Sequence, residues 1–169
     1  ISSEKGPDIF INAIEKIHKK YPNCKFILAG GGPSLDECKK QINILGLSNI
    51  CEIPGNINTY EYLKKTDILI VPSRIDGRPN IILEAMASGV PVIASKTGGI
   101  PLLLGTNQER GLLFKPGSVD SLVKKISFLI NNTQIRESLA NKARVYAEEK
   151  LNDKIFLDEF VKTIKDPSL

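Results

Sequence analysis

Five short apolar runs, "CKFILAG", "NICEI", "DILIVPS", "PVIAS" and "GLLF", lie along the chain with spacers too long for hairpins. A tight antiparallel connection takes only a few residues, whereas these spacers run to about a dozen or so, the length of a crossover that returns parallel. Several of the spacers carry helical patterns. In "PSLDECKKQINIL", Leu35, Cys38, Ile42 and Leu45 fall at helical spacing, and Ser34 and Glu37 have the interval of a capping box. "TYEYLKKT" is helix-like, and residues 80–88 predict another helix that is almost wholly apolar or small. The alternation predicts an α/β fold, a Rossmann-like doubly wound parallel sheet flanked by helices. From Ser118 onward only helical periodicity remains: "SVDSLVKKISFLINN", "TQIRESLANKARVYAEEK" and "NDKIFLDEFVKTIK" predict three amphipathic helices with Asn-rich breaks between them.

The opening, "ISSEKGPDIFINAIEKIHKK", is a loop running into a helix with Ile9, Phe10, Ala13, Ile14 and Ile17 on one face. A doubly wound sheet puts a central strand before such a helix. None stands in this sequence, so either a slot is left in the sheet or the element order is different. Repeats, low-complexity tracts and linkers are absent, and residues 1–169 are expected to form a single domain.

Composition removes several function classes. Net charge is +4, from lysines spread over helix faces, with no tryptophan and no aromatic residues interleaved with a basic stripe. A nucleic-acid reader is not expected; weak attraction to an anionic membrane surface is compatible. Cys24, Cys38 and Cys51 are widely spaced, no C-x-x-C occurs, and His18 is the only histidine. A structural zinc site would need four such ligands, so reduced thiols and no metal are expected. His18, on a lysine-rich helix surface, is expected to be solvated. The sequence shows neither a signal peptide nor an apolar run near the length that spans a bilayer.

Glycines mark the carboxyl ends of the predicted strands, where open α/β sheets bind ligands. In "AGGGPSL", Gly30 and Gly32 fit the start of a dinucleotide fingerprint, but Leu35 takes the place of its third glycine. "DGRPN" is more informative. Gly77 lets the backbone approach a ligand, and Pro79 suits the start of the helix. The free N–H groups around Asn80 and Ile81 then offer a site for a phosphate or another anion. Glu84 lies one turn beyond Asn80 on the same face. Set in an almost wholly apolar helix, its carboxylate is expected to be buried and so to need a partner. Adjacent sugar hydroxyls would match its two acceptor oxygens, and a lysine or backbone amide within the protein would serve equally.

The string "PSRIDGRPNIILEAMASGVPVIASKTGGIP" strongly resembles the donor-binding half of retaining glycosyltransferases of the GT-B fold, the group 1 or family 4 set. Their hallmark is two acids with seven residues between them, followed by A-M-A-x-G-x-P-V, and Asp76 and Glu84 have that spacing. "SEKGPDIFINAI", "ILAGGGP" with Gly32, "IPGNIN" and "RGLLFKPGSVDSL" extend the resemblance over nearly the whole chain. The resemblance implies that Glu84 holds the ribose hydroxyls and that Asp76, usually Glu, contacts the donor sugar. Gly77, Arg78, Pro79, Asn80 and Ile81 would border the sugar and diphosphate, and Lys5 would neutralise the latter. Asn56 and Ile57 would border the nucleobase. Departures are the shorter Asp76, Leu102 where the family usually carries Glu, and the lack of the usual F-S-W around residues 151–153.

On this resemblance the chain is expected to be a nucleotide-sugar-binding domain, with a UDP- or GDP-linked hexose as donor substrate and no cofactor or metal. The acceptor site would belong to an amino-terminal domain, through which the enzyme would make any peripheral contact with the inner face of the membrane. A cytoplasmic enzyme of bacterial polysaccharide or glycolipid synthesis is implied, and the isolated domain should bind nucleotide without catalysis. A nucleotide-sugar epimerase and a non-catalytic binding module of the same fold are the alternatives.

Overall fold

The computed structural model describes residues 1–77 and 79–150. The third predicted carboxy-terminal helix, the 151–153 motif position and Arg78 lie outside the described residues.

A single 3-10 turn, Ser3–Lys5, leads into α1, Pro7–Lys20. Strands and helices then alternate: β1 Phe26–Ala29, α2 Leu35–Ile44, β2 Cys51–Gly55, α3 Thr59–Leu63, β3 Leu69–Val71, α4 Asn80–Ala87, β4 Val92–Ser95, α5 Ile100–Leu104 and β5 Leu112–Phe114. Two helices follow, α6 Val119–Asn131 and α7 Thr133–Lys150. The short α5 has no counterpart in the periodicity reading, because "IPLLL" is apolar at every position and shows no helical contrast between faces.

Every strand pairing is parallel, as the long spacers predict. β1 pairs with β2, and β3, β4 and β5 pair in that order. No hydrogen-bonded pairing joins β1 to β3 among the described residues. These are the two edges between which a doubly wound sheet carries its central strand. The first residues cross this interval at the carboxyl ends: the Ser34 amide donates to the Ile1 carbonyl (3.2 Å) and the Arg74 amide to the Glu4 carbonyl (2.7 Å).

Helices cover both faces, so β1, β3 and β5 are apolar throughout rather than alternating, whereas β2 carries the exposed Glu52 and β4 ends in Ser95. All four residues of β4 are buried. Ile93 faces a layer formed by α1, α2 and α6, whereas Val92 and Ala94 face α4, α5 and α7. α1 is buried over a wider arc than its predicted stripe, because Ile11 is enclosed along with Ile9, Phe10, Ala13, Ile14 and Ile17.

Two local expectations are corrected. Ser34 takes the N-cap position of α2, but its side chain makes no cap hydrogen bond. Its backbone, at φ −91° and ψ 6°, is not in the extended conformation that aims a capping oxygen at the helix amides. His18 is half-buried rather than solvated, and its Nδ1 is shielded without a hydrogen-bond partner.

Candidate functional site

Parallel strands place all their carboxyl ends at one edge, and the residues singled out above gather there. The segment after β3 is the centre. Ser73 is buried, and the Asp76 side chain retains only 8% of its exposure. Lys5 Nζ donates to Asp76 Oδ2 at 2.6 Å, and Ser73 Oγ lies 3.3 Å from the same oxygen. The lysine itself is more than half exposed, so the pair has one enclosed member and one that faces solvent.

Two close approaches hold this loop. Gly6, at φ 65°, packs so tightly on the exit of β3 that a Cβ there would lie 2.2 Å from the Pro72 carbonyl oxygen. Gly98, at φ 51°, leaves only 1.8 Å between a notional Cβ and the Asp76 carbonyl oxygen, and the Gly99 amide donates to the Gly77 carbonyl at 2.8 Å. The "TGG" doublet thus shapes the Asp76–Gly77 backbone from below. The sequence displayed it, but nothing in its local pattern said which segment it would touch.

α4 begins directly after this loop with Pro79 at its N-cap, and the Ile82 amide already turns back to the Pro79 carbonyl (3.0 Å). The amides of Asn80 and Ile81 precede the first intrahelical donor, Ile82, and stand at the positive end of the helix. Gly77 is exposed, and a Cβ built on it would meet nothing within 4 Å.

Glu84 corrects the premise from which its role was argued. The helix is apolar, but Glu84 points out of it and is exposed, so no buried charge has to be compensated. Among the described residues it has no ion-pair partner. It lines an open groove of about 660 Å³ together with Asn58, Thr59, Tyr60, Leu63, Lys64, Ala87, Ser88 and Arg144. Asn80, one turn earlier, is exposed on the same side.

Asn56 and Ile57 follow β2 just before this groove, whose lining starts at Asn58. Asn56 is exposed and faces Gly31, 3.4 Å from where a Cβ would stand. Gly32, at φ 140°, lies against the backbone of Ile1, where a Cβ would come within 2.3 Å of the carbonyl oxygen. Close packing on Ile1 accounts for that glycine without a ligand. Leu102 is exposed on α5. Sequence reasoning missed Tyr60, which stands over the groove with Lys64 Nζ 4.1 Å from its ring centre.

Arg74 was also missed. It grips the carboxylate of Asp8 with both terminal nitrogens, at 2.8 and 2.6 Å, and holds that carboxyl below the usual carboxylate range. Among the described residues no group of His, Cys, Asp and Glu is arranged to hold a metal ion. Nor is any helix long and apolar enough to cross a membrane.

The family model for glycosyl transferases group 1 matches residues 1–146. Anabaena Alr3699/HepE, solved in complex with UDP, superposes with a TM-score of 0.88 at 27% identity, over 97% of this chain and 46% of that one. The carboxy-terminal domain of a group 1 family glycosyl transferase (LpcC) from Francisella tularensis superposes at 0.79 with 28% identity, over 90% and 83% of the two chains. Sulfoquinovosyl transferase SQD2 of Arabidopsis thaliana is 28% identical over 146 residues, covering 85% of this chain and 28% of that protein. The chain spans less than half the length of the curated relatives it matches.

Proposed function

The chain belongs to the group 1 glycosyltransferases, and from that premise we propose that it is the donor-binding half of a GT-B enzyme. Such an enzyme would move a hexose from a nucleotide diphosphate sugar to an acceptor with its anomeric configuration retained. The observation that carries this reading is the Lys5–Asp76 pair, placed on the loop that leads into the amino-terminal amides of α4.

The roles follow from the chemistry of each group. A diphosphate fits the positive end of α4, where the Asn80 and Ile81 amides donate and Lys5 supplies a full charge. The same groups would stabilise the charge that grows on the leaving diphosphate as the glycosidic bond breaks, so the scheme calls for no metal. Asp76 would accept from donor-sugar hydroxyls once Lys5 turns to the phosphates. Glu84, exposed and acceptor-only, is suited to two adjacent ribose hydroxyls. The nucleobase would lie toward the groove, bordered by Asn56, Ile57 and Tyr60. A uridine nucleotide is the first candidate, supported by the Anabaena protein's complex with UDP; a guanosine nucleotide is the second.

In this reading a separate amino-terminal domain carries the acceptor site. The enzyme would work in the cytoplasm, at the inner face of the membrane where that domain meets a lipid or polysaccharide acceptor. The 169-residue chain alone would bind nucleotide weakly and transfer nothing. Calorimetric titration with UDP, GDP and ADP tests this beside Glu84→Ala, with and without EDTA. Selective binding of one nucleotide, lost in the variant and indifferent to EDTA, is the expected result. Equal binding of all three, or none, would remove the donor-site reading.

A further inference from the structure

We propose that Arg74 is a positioning residue for Lys5: it fixes the turn that carries the lysine, and through it the charge presented to a donor diphosphate. The assignment rests on the donor-site reading above and adds a residue that makes no contact with the ligand in that scheme.

The problem begins with the turn itself. Ser3–Lys5 is one turn of 3-10 helix, closed by the Lys5 amide on the Ser2 carbonyl (3.0 Å) and the Gly6 amide on the Ser3 carbonyl (3.1 Å). Two such bonds do not hold an isolated turn in water, because the nucleation cost exceeds what they return. None of its three residues is buried, so no apolar contact anchors it. A long, flexible lysine on a loose turn would be a diffuse charge rather than a placed one.

Arg74 meets the turn at two places and the helix after it at a third. Its backbone amide donates to the Glu4 carbonyl (2.7 Å), and its Nη1 donates to the Ser3 carbonyl (2.8 Å). Nη1 and Nη2 also grip the two oxygens of Asp8, in the first turn of α1. The guanidinium therefore ties the residues before Lys5 to the helix after it. Its own backbone is held too, since Thr97 Oγ1 donates to the Arg74 carbonyl at 3.1 Å. Asp76, the partner of Lys5, is only two residues further along the same loop. Arg74 thus fixes the lysine's backbone in the frame of the carboxylate and the α4 terminus. A lysine at position 74 has no planar fork and cannot make the paired contact to Asp8 while also reaching Ser3.

The test separates phosphate from nucleoside. Affinities for UDP and uridine, and for GDP and guanosine, are measured for the wild-type chain and for Arg74→Ala, Arg74→Lys, Lys5→Ala and the double variant Arg74→Ala/Lys5→Ala. In the wild type the diphosphate adds affinity over the nucleoside. Arg74→Ala is expected to remove most of that increment, about tenfold, with nucleoside affinity unchanged and Arg74→Lys restoring little of it. In the Lys5→Ala background Arg74→Ala should change nothing further, because its effect passes through the lysine.

Equal loss of nucleoside and diphosphate binding would show a general structural role and overturn the assignment. Multiplying effects in the double variant would do the same, because Arg74 would then act independently of Lys5. Should the wild type bind diphosphate no better than nucleoside, the donor-site reading falls, and this assignment falls with it.

Discussion

Lys5 and Asp76 stand 71 positions apart in sequence and 2.6 Å apart in space. The carboxylate is enclosed and the ammonium is not, so the lysine provides the charge that makes the buried acid tolerable. Ser73 Oγ, at 3.3 Å, is a weaker second partner. Lys5→Met should therefore destabilise the chain by about 1 kcal/mol or a little more, less than for a fully buried pair because Lys5 is solvated. Adding Asp76→Asn to that variant removes the stranded charge and should recover most of the loss. Urea unfolding of the two single variants and the double variant checks this; additive losses would mean that the pair does not couple.

The alternation of apolar runs and long spacers made the parallel α/β layering legible, because burial on both faces and crossover length are written in local sequence. The start of α4 was legible for the same reason, since Pro79 and Asn80 are helix-start residues at adjacent positions. Contacts between loops were not. Arg74 with Asp8, Gly98 with Asp76 and Lys5 with Asp76 join segments brought together only by the sheet, and no period or cap encodes them. The burial of Glu84 was misjudged from its apolar neighbours. A helix has a solvent side even when its other faces are apolar, and Glu84 shares that side with Asn80.

Gly98 and Gly117 both have positive φ, 51° and 74°. They differ in their surroundings, because a Cβ on Gly117 meets nothing within 4 Å and one on Gly98 meets the Asp76 carbonyl at 1.8 Å. Alanine at either site carries the backbone strain of the left-handed region, about 1 kcal/mol. At Gly98 the collision with backbone adds to it, so Gly98→Ala should cost about 2–3 kcal/mol against about 1 for Gly117→Ala. It should also displace the Asp76–Gly77 loop, seen as changed amide shifts at those two residues. Equal midpoints in urea for the two variants would contradict the close approach.

The Asp8–Arg74 contact sets a direction with pH. The Arg74 guanidinium lowers the Asp8 carboxyl below its ordinary value, so folding favours the ionised form. The stabilisation is complete above the unfolded-state value, about 3.9, and is lost as pH falls through the lower folded value. Both side chains are partly exposed, so the contribution is small and screened by salt. The difference in urea midpoint between wild type and Asp8→Asn should be constant from pH 7 to about pH 5 and shrink below about pH 4. A difference that grows in acid would reverse the sign and contradict the pairing.

The three thiols should separate by reactivity. Cys51 is 5% exposed, and burial, reinforced by the neighbouring Cys38, pushes its thiol up to about 11. Cys38 is 3% exposed and is raised by burial as well. Cys24 is half-buried at the start of the segment leading into β1 and is raised by burial and by the charge of Asp67. A thiol reacts as its thiolate and only where a reagent can reach it. With an aromatic disulfide reagent at pH 8, Cys24 should react first and slowly, while Cys38 and Cys51 wait for unfolding. Cys24→Ser should then leave a native chain almost inert, and urea should release the two remaining thiols together at the unfolding midpoint, because both belong to the same core cluster. Release of Cys51 well below that midpoint would mean that the β1–β2 pair opens on its own, ahead of the β3–β4–β5 sheet.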